Sequence, residues 1–227
     1  IPYLLKEIPQ IPNRLYIKGN LPNIDTKMLC IVGARKHSSY GEEVTKKLIS
    51  GLRGYNVCIV SCLAFCIDAI AHRTALENNL VTVAFPGSGL GENVLYPESN
   101  RRLANEIINS GGGLISEYDI DQKAALWTFP KRNRLMAGIS HATIVIEANL
   151  VSGTLITSKL ATEYNREVGA VPGNINSKLS AGPNMLIRLG ATPITCTEDI
   201  LEILGFNRPE NKILQKELFL NLSENEK

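Results

Sequence analysis

Apolar runs bounded by Gly, Pro and Asn recur along the chain and predict strands near 28–33, 57–61, 80–85, 113–116, 142–147, 167–171 and 192–195. Between them the period changes. Gly41 to Leu52 places Val44, Leu48, Ile49 and Leu52 on one face with Lys46 and Lys47 on another, which predicts a helix, and comparable stretches fill 66–77, 98–110, 152–165 and 183–189. Strands that are apolar throughout and alternate with helices of this length specify βαβ units, hence an α/β chain with a doubly wound, mostly parallel sheet covered on both faces. Four of the strands open onto small or polar residues: Ile31-Val-Gly-Ala-Arg35, Ile59-Val-Ser-Cys62, Val145-Ile-Glu-Ala148 and Ala170-Val-Pro-Gly173. Ligands of such sheets bind beyond the carboxyl ends of the strands, so these four endings predict one shared cleft.

Residues 1–25, with Pro2, Pro9, Pro12 and Pro22, read as an extended lead-in that pads one edge of the sheet. Residues 26–206 form the main domain. Residues 207–212 read as a linker, and the tail to 227 is too short to bury its own leucines. The first residue is Ile1, so the chain is expected to be a piece of a longer protein. Its 227 residues and 44% hydrophobic content suffice for a well-buried core, whereas a formal net charge of +2 excludes a surface coated in anion affinity. Charge must therefore be concentrated locally. The five cysteines are odd in number and lie partly inside strands, which fits a reducing cytoplasm better than a disulfide framework. No apolar run reaches the roughly 20 residues that span a bilayer.

The densest cluster of positive charge is Phe129-Pro130-Lys131-Arg132-Asn133-Arg134, three cations beside an aromatic at the start of an apolar helix. Helical geometry sends Lys131 and Arg134 to one side and Arg132 elsewhere, so at least one of these cations is open to a structural reading. Aromatics beside Arg hold single-stranded nucleic acid through stacking and backbone neutralisation; core packing explains Trp127 or Phe129 singly just as well. After the first strand, Gly33-Ala34-Arg35 lacks the Gly-x-Gly-x-x-Gly fingerprint of a dinucleotide site and offers a guanidinium suited to phosphate instead. Ser152-Gly153-Thr154 opens a helix, with Ser152 as its N-cap and Gly153 leaving the backbone approachable, a place for an anion or for plain capping. Ser61 occupies the equivalent place after the second strand.

Other constellations weigh less. Cys58, Cys62 and Cys66 recur every four residues, but a strand-to-turn transition intervenes and core filling describes them better than a metal site. Asp68 and His72 share a helix face and read as a brace within that helix. Glu117 and Glu147 lie at strand ends, where a carboxylate in an anion site implies pairing, Glu147 with Arg132 or Arg134.

Taken in order, Leu15-Tyr16-Ile17-Lys18-Gly19, Val32-Gly33-Ala34-Arg35, Ile67-Asp68 with Ala71-His72, Tyr96-Pro97 with Asn100, Ser116-Glu117-Tyr118, Phe129-Pro130 with Arg132-Asn133-Arg134, Ser152-Gly153-Thr154 and Val171-Pro172-Gly173 resemble the DNA-processing protein A family (DprA, also called Smf) across residues 12–205. The resemblance implies an extended Rossmann-like domain that binds single-stranded DNA, forms a homodimer and helps load a RecA-type recombinase in natural transformation, without catalysis, cofactor or metal. It carries the DNA pocket onto Gly33, Arg35, Ser61, Phe129, Arg132, Asn133 and Arg134, with Ser152, Gly153 and Thr154 lining the same cleft. It also likens 222–227 to the start of a winged-helix module. The chain departs from the family pattern at Cys62 and Cys66, where the family has glycines, and this predicts a turn under backbone strain. Two rivals stand beside this reading. A nucleotide phosphoribohydrolase of related fold would use Glu147, although Pro86-Gly87-Ser88-Gly89 is only a fragment of its signature. A dimeric recombinase-binding scaffold would have lost DNA affinity through the two cysteines.

Overall fold

The computed structural model describes residues 1–207. Its strands are β1 (Tyr16–Gly19), β2 (Lys27–Val32), β3 (Val57–Cys62), β4 (Val81–Phe85), β5 (Gly113–Ser116), β6 (Ala142–Val145), β7 (Glu167–Ala170) and β8 (Thr192–Pro193). The helices are α1 (Ser39–Ser50), α2 (Ile67–Glu77), α3 (Arg101–Asn109), α4 (Thr128–Ile139), α5 (Gly153–Glu163), α6 (Ala181–Arg188) and α7 (Thr197–Ile203). One sheet holds all eight strands in the order β1-β5-β4-β3-β2-β6-β7-β8. Every pairing is parallel except that of β1 with β5. The chain winds outward from β2 through β3, β4 and β5, then restarts on the other side with β6, so the direction of winding reverses between β2 and β6. This is the expected doubly wound α/β sheet, and its topological switch point lies where Gly33 and Glu147 follow adjacent strands.

Period-two alternation sends the strand residues to the two faces of the sheet, where they enter three clusters among the described residues, the third built on Ala84 and Leu114 with Leu63 and Leu103. Leu29, Ile31, Val57 and Ile59 pack with Leu48, Ile49, Ile70 and Ile200 on one face. Met28, Cys30, Val32, Cys58, Val60 and Cys62 pack with Phe85, Leu135 and Met136 on the other. Cys30 and Cys58 are thus fillers of a close-packed core, and burial pushes both thiols above their ordinary range.

The lead-in does more than pad an edge. Leu5 and Ile8 are buried against α4, and Tyr16–Gly19 pairs with β5 in the register Tyr16↔Ser116 to Gly19↔Gly113. Arg166 fastens this segment from the opposite side, donating to the Leu4 carbonyl (2.9 Å) and pairing with Glu7 (2.8 Å). At the far edge β8 is shorter than the expected 192–195, and Ile194 N makes its last bond to β7, at the Ala170 carbonyl (2.9 Å). Helix α7 closes the first core with Ile200 and Leu201. The expected linker and winged-helix start fall largely outside the described residues. Among the described residues no helix is long and apolar enough to cross a membrane.

Candidate functional site

A side-chain network ties the ends of β4 and β2 to the start of α5. Arg132 of α4 is buried and donates through Nη1 to the Phe85 carbonyl at the end of β4 and through Nε to Asn133 Oδ1 (3.1 Å). Asn133 Nδ2 reaches the Gly153 carbonyl (3.4 Å) at the start of α5, whose Thr154 hydroxyl donates to the Gly33 carbonyl (3.1 Å) beyond β2. Ser152 is the expected N-cap, accepting from Thr154 N (3.2 Å). Five of the sequence-derived residues, Arg132, Asn133, Gly153, Thr154 and Gly33, therefore form one chain of contacts from β4 to β2. A Cβ on Gly33 would meet the Ile67 side chain at 2.6 Å, so a residue without one lets α2 close onto the end of β2. Gly153 is exposed, with open space where a side chain would stand.

Two residues are presented rather than tied. Arg35 is exposed, and its guanidinium carbon lies 5.7 Å from the centre of the Phe129 ring. Phe129 is half-buried. Its ring rests on the backbone of Gly87, where an added Cβ would come within 2.5 Å, and stands 5.7 Å from the Tyr96 ring. Among the described residues Arg35 has no carboxylate within ion-pair distance, so a cation and an aromatic face meet at the open mouth of the cleft. Gly87 and Tyr96 are missing from the sequence-derived site. The signal for Gly87 was the Pro86-Gly87-Ser88-Gly89 turn, read only as a fragment of another signature, and that for Tyr96 was Tyr96-Pro97, quoted only among the family-like segments.

Arg134 is placed differently from Arg35. It is 6% exposed and donates to the Gln10 carbonyl (2.6 Å) and to Glu117 Oε2 (2.5 Å), a nearly dry ion pair that binds α4 to β5 and to the lead-in. Lys131 also reaches Glu117, at 3.8 Å, so the helical separation of Lys131 and Arg134 from Arg132 holds in the structure. Among the described residues Glu147 does not pair with an arginine. Its two oxygens accept from Ser38 N (2.9 Å) and Ser38 Oγ (2.5 Å), and Ser38 is the N-cap of α1, so this 2%-exposed carboxylate is held at a helix amino end. An arginine would have to displace that cap.

Beneath the cleft, Ser61 is fully buried. Its hydroxyl donates to the Ile31 carbonyl (2.7 Å) and lies 3.1 Å from Asp68 Oδ1, so it supports the floor from below. Asp68 and His72 brace outward rather than to each other. Asp68 also accepts from the Cys62 thiol, while His72 contacts Thr82 Oγ1 (2.7 Å) and the Cys62 carbonyl (3.1 Å). Burial pushes the Asp68 carboxyl up to about 6 and the His72 imidazole down to about 4, so at neutral pH the histidine is uncharged. The two cysteines of the turn differ. Cys62 packs in the second core, whereas Cys66, at the N-cap of α2, takes φ 67° and ψ −122°, a conformation suited to glycine. Its thiol donates to the Arg35 carbonyl.

Comparison with known proteins points to one family. Residues 1–205 match the family model described as DNA recombination-mediator protein A. The chain is 40% identical over 206 residues to Protein Smf of Escherichia coli (strain K12), covering 88% of this chain and 54% of that protein, so it spans about half of that relative's length. The structure of DNA processing protein A from Streptococcus pneumoniae superposes with a TM-score of 0.83 at 38% identity, covering 92% of this chain and 71% of the other. That of DNA processing protein A from Helicobacter pylori, described for its single-stranded DNA binding mode, gives 0.80 at 29% identity, covering 90% and 92%.

Proposed function

The chain belongs to the DNA recombination-mediator protein A family, and from that premise we propose that its strand-end cleft holds single-stranded DNA without acting on it chemically. The observation that carries this reading is the exposed Arg35 guanidinium beside the half-buried Phe129 ring, a phosphate donor and a stacking face at one point. The α5 amino end, with Gly153 open and Ser152 and Thr154 beside it, presents the positive end of a helix dipole to a second phosphate. Arg132, Asn133 and Ser61 hold this frame from behind. Such contacts read backbone and ring rather than base edges, so binding tolerates any sequence. The absence of catalysis is part of the proposal, and it is supported by Glu147 being committed to Ser38 and Glu117 to Arg134. So are the wider roles: a cytoplasmic homodimer that protects incoming DNA and helps load a RecA-type recombinase in natural transformation.

The test is anisotropy of labelled oligonucleotides of differing composition across a salt series. Arg35→Ala weakens binding on all compositions alike and reduces the logarithmic salt slope by about 1. Arg134→Ala serves as the contrasting arm. It leaves Glu117 buried without its partner, so it lowers the unfolding free energy by about 3–5 kcal/mol, read by denaturant titration. Loss of affinity confined to one base composition in Arg35→Ala would contradict the proposal.

A further inference from the structure

Trp127 is the sole tryptophan of the sequence and is 57% exposed. The cleft around Phe129 does not use it. The two rings leave the start of α4 in different directions: Phe129 faces Gly87, Tyr96 and Arg35, while Trp127 faces Tyr118 and Lys131. Tyr118, itself buried, meets the indole edge-on at 5.7 Å and is fixed by donating to the Thr128 carbonyl (3.0 Å). The indole is thereby held rigidly with much of its surface in solvent. Lys131 Nζ lies 5.9 Å from its ring and 5.8 Å from that of Tyr118. Beside them opens a cavity of about 370 Å³ lined by Pro12, Asn13, Arg14, Tyr16 and Lys131, with Glu117 and Asp119 on its wall.

The charges in this cavity do not cancel locally. Glu117 is taken by Arg134 at 2.5 Å, leaving Lys131 at 3.8 Å. Asp119 accepts from the Tyr16 hydroxyl at 2.5 Å, and Arg14 donates to that hydroxyl at 2.9 Å while standing 3.9 Å from the carboxylate. Arg14 and Lys131 are both half or more exposed, and neither has its carboxylate closer than 3.8 Å, so two accessible cations flank an uncovered aromatic. We propose that Trp127, Lys131 and Arg14 form a second station for the same single strand, a base-stacking platform with two phosphate contacts beyond the Phe129 cleft. Following the sheet order, the strand would pass from the ends of β2 and β4 over the start of α4 to the edge made by β5 and β1. This rests on the cleft being a single-stranded DNA site.

The experiment uses the whole chain with oligothymidylates of about 5 and about 15 nucleotides, lengths that bracket one station and two. Anisotropy reports binding, and the intrinsic emission of the lone tryptophan reports contact at the second station. The long oligomer is expected to quench that emission, and Trp127→Ala or Arg14→Ala to weaken the long oligomer roughly ten-fold while leaving the short one unchanged. Binding of the long oligomer with unaltered tryptophan emission, or equal affinity in the variants, overturns the second station and leaves the cleft standing. Failure of both oligomers to bind overturns the cleft and the station together.

Discussion

Cys66 and Asp68 show how much one side chain can set in this fold. A non-glycine residue at φ 67° and ψ −122° stores on the order of 1–3 kcal/mol, and the thiol of Cys66 returns only one weak bond. Cys66→Gly is therefore expected to raise the thermal midpoint by a few degrees, whereas Cys62→Gly, which empties a place in the second core, lowers it; scanning calorimetry of both decides. Asp68 and His72 act in opposite senses with pH. The Asp68 carboxyl is raised from 3.8 to about 6, so its contribution is full below pH 3.8 and is lost as pH rises through 6. His72 is lowered from 6.5 to about 4, so its contribution is full above pH 6.5 and is lost as pH falls through 4. Each is worth on the order of 3 kcal/mol, and they offset one another between pH 4 and 6. Asp68→Asn removes one side of this balance. Its denaturation midpoint should fall on acidification across that window more steeply than that of the parent protein, and parallel curves would refute the offset.

Elements were legible where they are long or apolar on both faces. The central strands and α1, α2 and α5 follow directly from runs and periods, because burial on both sides of a parallel sheet leaves no polar interruption. Strand β1 is hidden because only four residues pair, at an edge and among prolines, with alternating partial exposure. Helix α7 is also missed, although Ile200, Leu201 and Leu204 carry a helical spacing and Asp199 accepts from Cys196 N (3.2 Å) at its start. In α4 the period separates Lys131 and Arg134 from Arg132. It does not disclose that Arg132 meets a carbonyl 47 residues away, or that Arg134 is spent on Glu117. Charge type is written in the sequence. Which cation is free is decided by long-range partners, and so Arg35 and Arg134 look alike in sequence and differ in the fold.

At the level of the molecule, chain-distant contacts fasten the lead-in to the sheet: β1 to β5 across 100 residues, and Arg166 to the first turn. Period-two alternation also sends Cys30, Cys58 and Cys62 to a single face of that sheet, while Cys66 and Cys196 remain partly accessible. Burial lifts the Cys62 thiol to about 12, so no thiolate is available there at neutral pH. A maleimide followed by intact mass is therefore expected to add at two positions promptly and at the other three only as fast as the whole sheet opens. Simultaneous modification of all five would mean that the second core is open in the native state. The chain thus carries its own clock for unfolding, three shielded sulfurs whose alkylation rate reports how long the folded sheet lasts.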